Sequence, residues 1–177
     1  MSRYDDVIDS QGVDRLAELD RWYRQDFPAA ISGRDEPFIQ HDELVELTKW
    51  KMARGVWRGR NLALVKGNAP ELVEEVSRRA LSLIPDPRGP IRELAKLAGV
   101  GPATASAVTA ATAPGVYPFF DEVVADQVPE LGKVAYTLKY YAEYSDALRA
   151  RAADLGGKWT PVLVERALWA NAGGKAG

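Results

Sequence analysis

Apolar residues recur at three- and four-residue steps along most of the chain, whereas the strict alternation typical of β-strands is nearly absent. The pattern therefore predicts an all-α fold, a bundle of helices joined by short turns that contain Gly or Pro. One predicted helix begins at Pro70, and the others cover about 13–27, 42–55, 91–98, 102–113, 119–128, 134–155 and 160–171. A polar loop is predicted over 28–40.

Two of these helices carry apolar faces that predict their buried sides. In the helix that begins at Pro70, the predicted buried stripe consists of Leu72, Val73, Val76 and Ala80. In the longest helix, six residues at helical spacing share one face: Val134, Leu138, Tyr141, Leu148, Ala152 and Leu155. Gly156 and Gly157 are expected to end that helix.

The composition limits both the architecture and the chemistry. A chain of 177 residues that is 46% apolar is long enough for one domain, predicted to cover 1–177 with a frayed tail at 173–177. The absence of cysteine excludes disulfides, iron–sulfur clusters and thiolate zinc sites. No apolar run approaches the length of a membrane span, and the N-terminus lacks the apolar core of a signal peptide. We therefore expect a cytoplasmic protein without a membrane partner, and a monomer by default.

The stretch "LAGVGPATASAV" places two glycines one residue apart, before a proline and a run of small residues. It predicts a helical hairpin over 91–113, in which Gly99 and Gly101 can take positive φ angles and Val100 can point inward. The amides from Gly101 to Thr104 then have no acceptor within the second helix, and they form an anion-binding end. An ordinary helical turn without a ligand is the alternative that the glycines alone leave open.

The wider pattern is more specific than the two glycines. It resembles the helix-hairpin-helix element of the DNA glycosylase superfamily that includes endonuclease three and the adenine-mismatch and oxoguanine glycosylases. Six residues fall on the positions of that element: Leu97, Gly99, Val100, Gly101, Thr104 and Ala105. Family members place a catalytic aspartate about twenty residues beyond the second glycine. Here Asp121 stands twenty residues after Gly101, with Val124 three residues further on.

The resemblance implies a fold of orthogonal helices and a DNA duplex, intact or damaged, as the partner. The implied phosphate-binding residues are Gly99, Val100, Gly101, Ala103 and Thr104, and the implied site for a K⁺ or Na⁺ ion is formed by the carbonyls of Leu97 and Gly99. Asp121 would be the catalytic carboxylate, which stabilises positive charge on the sugar or activates water. Members that cleave the strand carry a lysine where this chain has Ala103, so the implied activity is that of a monofunctional glycosylase without lyase activity.

A second interpretation of Asp121 stays open at this point. An acid at the start of a short helix stabilises that helix end through the helix dipole, without any catalytic role. Glu122 lies beside Asp121, and Asp126 stands where family members often carry a basic residue. Negative charges so close to a DNA backbone are unfavourable.

The stretch "TKWKMARGVWRGR" is basic and aromatic in a chain whose net charge of −2 gives no general attraction for nucleic acids. The candidate contacts to DNA phosphates are Lys49, Lys51, Arg54, Arg58 and Arg60. The candidate residues of a base pocket or wedge are Trp50, Trp57, Tyr117, Phe120 and Tyr140. The alternative is a solvated basic face over core tryptophans. His41 is expected to cap or flank the helix that starts beside it.

These features support three hypotheses of function. The first is a DNA-binding base-excision enzyme, a monofunctional DNA glycosylase that hydrolyses the N-glycosidic bond of a damaged or modified base. The second is a non-catalytic helix-hairpin-helix module that only binds DNA. The third is an all-α protein-interaction domain in which the hairpin is no more than a turn.

Overall fold

The computed structural model describes residues 3–174, and α-helices joined by short connections make up most of this range. These are α1 (Arg3–Ser10), α2 (Leu16–Arg21), α3 (Phe27–Ser32), α4 (His41–Arg54), α5 (Gly59–Lys66), α6 (Pro70–Ser82), α7 (Gly89–Leu94), α8 (Pro102–Thr112), α9 (Glu122–Ala125), α10 (Leu138–Leu155) and α11 (Pro161–Asn171). A π-helical turn, Trp22–Asp26, joins α2 to α3, and a 3₁₀ turn, Pro129–Leu131, follows α9. The described residues are 66% helical and contain no strand, which confirms the all-α prediction.

Helix α8 lies at the centre of the fold. Its residues 103–110 are all buried, and each of them is Ala, Ser, Thr or Val. Because these side chains are small, α3, α4, α7 and α10 can pack closely around the helix. Helix α4 is the second central element, since it packs against α2, α5 and α6 as well as α8. None of the helices in the described range is long and apolar enough to cross a lipid bilayer.

The N-terminal region differs most from the prediction. Helices α1 and α5 were not predicted, and helix continues over 28–32, where the sequence predicts a loop. Pro28 is tolerated in the first turn of α3 because the π turn before it already interrupts the regular hydrogen-bond ladder, so the missing N–H is not needed there. Helix α1 packs against α2 and α11 and so closes the N-terminal side of the core.

The predicted apolar faces are confirmed in part. Six of the predicted core residues are buried: Val73, Val76 and Ala80 on α6, and Tyr141, Leu148 and Ala152 on α10. The prediction is wrong for Leu72 and Leu155, which are 43% and 56% exposed. Leu155 is the last residue of α10, where the helix leaves the core. Helix α10 begins at Leu138, so Val134 precedes it and is only half-buried.

Helix α4, which carries much of the basic stretch, begins within one residue of its predicted start. Glu43 accepts the N–H of Gln40 at 2.7 Å and completes a capping box at this helix end. His41 is the first residue of the helix, and its Nε2 lies 3.1 Å from the carbonyl oxygen of Lys66. The expectation that His41 flanks the helix start is therefore confirmed.

The glycine turn between α7 and α8 packs directly on α5. Gly99 has a φ of +75°, and a Cβ at this position would lie 2.6 Å from the carbonyl oxygen of Asn61. Val100 is buried, as predicted. Gly101 has a φ of −101°, so of the two glycines that can take a positive φ only Gly99 does so.

The side chain of Asn68, which follows α5, also holds this turn. It accepts the N–H of Ala98 at 2.9 Å and donates to the carbonyl of Ala98 at 3.0 Å. Both backbone groups of Ala98 are thus used outside a helix, and α7 ends at Leu94 instead of continuing to 98 as predicted.

The C-terminal end of α11 is capped by two glycines. Gly173 and Gly174 donate their N–H groups to the carbonyls of Ala170 and Trp169, at 3.1 Å and 3.0 Å. The predicted fraying of 173–177 stays a prediction for these two residues, and 175–177 lie outside the described residues.

We expect Gly99→Ala to lower the free energy of unfolding by about 2 to 4 kcal/mol, because the new Cβ combines a positive φ with a close approach to backbone. Gly101→Ala is the matched control, since a Cβ there meets no atom within 4 Å, and a change within about 0.5 kcal/mol is expected. Urea denaturation of the two variants measures both values. Equal losses would contradict the packing described for this turn.

Candidate functional site

An open cleft of about 300 Å³ lies between the end of α4 and the start of α8. Its lining comes from three parts of the chain: the end of α4 with the connection to α5, the first residues of α8, and the segment that leads into α9. Asn61 on α5 and Tyr136, which precedes α10, complete the lining. The cleft thus brings together part of the glycine turn, part of the basic stretch and Asp121.

The start of α8 gives the cleft free backbone donors. Gly101, Pro102, Ala103 and Thr104 line it. The first hydrogen bond of the helix runs from the N–H of Ala105 to the carbonyl of Gly101, at 2.9 Å. The amides of Gly101, Ala103 and Thr104 donate to no acceptor in the described part of the chain. Free N–H groups at the positive end of a helix attract anions.

The other predicted hairpin residues shape the turn without reaching the cleft. Gly99 packs against α5, and the side chain of Val100 is buried. The carbonyl of Leu97 accepts the N–H of Val100 at 3.2 Å. No group of three or more His, Cys, Asp or Glu side chains within 3–174 could hold a metal ion. A K⁺ or Na⁺ ion at the carbonyls of Leu97 and Gly99 stays a prediction.

The segment before α9 fixes the backbone of Asp121 at the cleft. The N–H of Phe120 donates to Ser106 Oγ at 2.9 Å, and the carbonyl of Phe119 accepts the hydroxyl of Tyr144 at 2.7 Å. These bonds tie the segment to α8 and α10. The prediction of helix over 119–121 is wrong, because both backbone groups are used outside a helix.

Asp121 caps α9 and also lines the cleft. Its Oδ1 accepts the N–H of Val123 at 2.8 Å, so the helix-end role is confirmed. Its Oδ2 lies 3.9 Å from Nε of Arg54. The side chain is 9% exposed, and this exposed part belongs to the cleft. The catalytic role stays a prediction, and the geometry adds that Asp121 shares a cleft with the free amides of α8.

Arg54 is buried, and the prediction that it contacts phosphate is wrong. Its side chain is 1% exposed, and its Nη2 donates to Glu165 on α11. Its guanidinium carbon lies 4.6 Å from the ring centroid of Trp169 and 5.1 Å from that of Phe119. Sequence reasoning missed Glu165, because one acid in an apolar helix gives no signal of a partner 111 residues away.

The buried cluster contains one guanidinium and two carboxylates. Burial raises the pKa of Glu165 from 4.5 to about 7; Arg54 opposes this shift and Asp121 adds to it. Burial alone would lower the pKa of Arg54, but Glu165, Tyr4 and Asp121 raise it, so the guanidinium stays charged. Between pH 4.5 and about 7 the folded chain keeps a proton on Glu165 that the unfolded chain releases. The contribution of Glu165 to stability therefore falls as the pH rises through this range.

Lys51 and Arg58 are the two predicted phosphate contacts that line the cleft. Within the described residues, neither side chain forms an ion pair or a hydrogen bond. Burial lowers the pKa of the Lys51 ammonium. The positive charge of Arg58 lowers this pKa further, whereas the negative charge of Asp121 raises it. Lys49 instead pairs with Glu46 at 2.8 Å, and Arg60 is exposed outside the cleft lining. The basic stretch therefore divides into residues inside the cleft and residues outside it.

Three of the predicted base-pocket residues belong to the core. Trp50 is fully buried and donates to Asp20 at 3.0 Å. Tyr117 is also fully buried, and its hydroxyl donates to a backbone carbonyl at 2.8 Å. Tyr140 is buried against Phe120, with the ring centroids 5.6 Å apart. The prediction is wrong for Trp50, Tyr117 and Tyr140, and only Phe120 of this group lines the cleft.

Tyr136 and Glu122 line the cleft and were not proposed as parts of a pocket. The hydroxyl of Tyr136 donates to Glu122 at 2.6 Å. Glu122 is thus engaged by a neighbour, and Asp126 lies outside the lining. The sequence predicts Tyr136 within the helix over 134–155 but off its apolar face, whereas in the structure it precedes α10, so the pattern gave no signal that it lines a cleft.

Trp57 lines a second, mainly apolar cavity of about 480 Å³ beside the first. Its side chain is 61% exposed, which the prediction of a solvent-facing wedge allows. Gly55 and Val56 line both cavities and form the wall between them. Among the other lining residues, Val13 precedes α2, Leu19 lies on α2, and Met52 lies on α4.

Comparison of this chain with protein-family models, curated proteins and solved structures finds no match. The assignment of a function therefore depends on the cleft itself.

We expect Arg54→Met to lower the free energy of unfolding by about 3 to 5 kcal/mol, because Glu165 and Asp121 would be left as uncompensated buried charges. Arg58→Met is the matched control, because it makes the same substitution at an exposed position. We expect it to change the free energy of unfolding by no more than about 0.5 kcal/mol. Urea denaturation at pH 7.5 compares the two. A tolerated Arg54→Met substitution would show that the cluster does not hold the core together.

Proposed function

We propose that the chain is a DNA-binding base-excision protein of the helix-hairpin-helix glycosylase type, acting as a monofunctional N-glycosylase on a damaged or modified base. The observation that carries this proposal is that the free amides of α8 and the carboxylate of Asp121 line one cleft. The sequence resemblance assigns the amides to a DNA phosphate and the carboxylate to the glycosidic bond.

The part of the proposed interface that would bind a DNA phosphate combines the dipole of α8 with the charges of two side chains. The amides of Gly101, Ala103 and Thr104 supply donors at the positive end of α8, and Lys51 and Arg58 add two positive charges without internal partners. Together they concentrate positive potential at the start of α8, beside the carboxylates of Asp121 and Glu122 in the same cleft. A DNA backbone is attracted locally even though the net charge is −2.

Asp121 is the residue of the proposed interface that would act on the glycosidic bond. Departure of a base leaves positive charge on the sugar, and a fixed carboxylate beside the anomeric carbon stabilises that charge or activates the attacking water. Phe120 and Tyr136 provide aromatic surface in the same cleft, against which an extruded base can pack. Ala103 carries no amine, which supports hydrolysis without strand cleavage.

A second candidate function is a DNA-binding module without catalysis. It is favoured by the two contacts that Asp121 already makes, the cap on Val123 and the approach of Arg54. Under this hypothesis the cleft binds phosphate and Asp121 has only a structural role. The excision experiment below separates the two candidates.

We expect Lys51→Met and Arg58→Met each to weaken duplex binding and to reduce the salt dependence of the affinity by about one unit of slope. Lys158→Met is the control, since Lys158 is outside the cleft lining and its loss should leave the slope unchanged. Fluorescence anisotropy with a labelled duplex at several salt concentrations measures the slopes. Equal slopes in all three variants would contradict the proposed interface.

A bulky residue at position 101 should block the phosphate end while leaving the fold intact. Gly101→Leu adds a side chain where no atom lies within 4 Å, at the mouth of the free amides. We expect unchanged stability and a loss of duplex affinity on the order of tenfold, as for the loss of one charge-assisted contact. Undiminished binding by Gly101→Leu would place the DNA elsewhere on the protein.

We expect release of a base from at least one duplex that carries uracil, hypoxanthine, an alkylated purine or an oxidised purine. In Asp121→Asn this release should fall roughly 10²- to 10⁴-fold while duplex binding persists. Asparagine also caps helices well, so the fold is expected to survive the substitution. Abasic sites are detected by alkaline cleavage and gel electrophoresis. Duplex binding without any base release would favour the non-catalytic module.

A further inference from the structure

Asp121 connects the cleft to the buried cluster. It lines the cleft, whereas Arg54 and Glu165 are buried behind it and do not. The three groups come from the end of α4, the start of α9 and the middle of α11. A change at Glu165 can therefore reach the cleft only through groups that it contacts, and Arg54 is in contact with it.

Arg54 is shared unequally between the two carboxylates. Its Nη2 donates to Glu165, whereas its Nε is buried and donates no hydrogen bond to any described residue. Asp121 Oδ2 lies 3.9 Å from that Nε, which is beyond hydrogen-bond distance. A shift of the guanidinium of about 1 Å toward Asp121 would satisfy the unused donor.

We propose that Arg54 and Glu165 are positioning residues for Asp121, and that uptake of a proton by Glu165 releases Arg54 to form a direct hydrogen-bonded ion pair with Asp121. The two states differ in which carboxylate holds the guanidinium. When Glu165 is ionised, Arg54 stays hydrogen-bonded to Glu165, and the negative charge of Asp121 faces the cleft without a directly bonded cation. With Glu165 neutral, Arg54 turns to Asp121 and compensates that charge.

Glu165 is the group in this cluster that changes charge near neutral pH. The other titratable groups around it are Tyr4 on α1, Tyr23 on the π turn, Arg54 on α4, Asp121 at the start of α9, Tyr144 on α10 and Arg166 on its own helix. Burial raises the pKa of each of the three tyrosines, so they stay neutral. Burial also raises the pKa of Glu165 to about 7.

The consequence for the cleft is that the ion pairing of Asp121 with Arg54 depends on pH. Below neutral pH, Arg54 compensates Asp121, and the cleft becomes more favourable for an anion. Above neutral pH, Asp121 keeps its full negative charge, as stabilisation of a cationic sugar requires. This regulation deepens the proposed function and rests on it for the nature of the ligand, but the switch itself involves only the residues of the chain.

The test follows the three groups by NMR in the intact protein, without DNA, between pH 5 and 8.5. We expect the Glu165 carboxyl carbon to titrate near pH 7, and the Asp121 carboxyl carbon and the Nε–H proton of Arg54 to move with the same midpoint. The Nε–H signal should move downfield as the pH falls, because a new hydrogen bond forms. A purely structural ion pair would leave the Nε–H signal in place.

Glu165→Gln provides the variant arm and Glu93→Gln the control, since Glu93 pairs with Lys96 on the surface of α7. Glu165→Gln should remove the movement of both Asp121 and Arg54 near pH 7, and Glu93→Gln should retain it. If Glu165→Gln does not fold, the titration of the unmodified chain still decides the question. If the chemical shift of the Arg54 Nε–H proton does not change while Glu165 titrates, this inference is overturned. Failure to bind DNA overturns the proposed function and leaves the switch standing.

Discussion

The burial of one guanidinium, that of Arg54, determines how the helices around the cleft are arranged. A charged group in a protein interior is tolerated only when oppositely charged groups and favourable ring contacts surround it. Here Glu165 and Asp121 supply the charges, and the rings of Trp50, Trp169, Phe119 and Tyr4 supply the walls. Helices α4, α9 and α11 must converge for this to happen, so the position of Asp121 is set by the core.

The cleft is accordingly made of parts that the interior holds in place. The amides of Gly101, Ala103 and Thr104 begin the most deeply buried helix of the described chain. The turn before them is fixed by the contact of Gly99 with α5 and by the hydrogen bonds of Asn68. This arrangement is consistent with a site that recognises a rigid, charged backbone, which is what the proposed function demands.

The local features of the site could be predicted from the sequence, and its long-range contacts could not. Two glycines around Val100 and an acid at a fixed spacing are local signals, and they led to the residues that meet in the cleft. The basic stretch gave the wrong assignment for Arg54, because five cations close together look alike in sequence. Arg54 lies one helical turn after the buried Trp50, on the core face of α4, whereas Lys51 and Arg58 line the cleft. Its partner Glu165 lies 111 residues away, beyond the reach of any periodicity.

The small side chains of α8 have a consequence for the dynamics of the site. Local opening of a protein spares the segments that are packed on all sides, and α8 is buried along eight consecutive residues. The helix should therefore open only when the whole chain unfolds. Its first-turn amides keep their directions in the free protein, and an anion that arrives finds its donors already ordered, with little conformational entropy left to lose on binding.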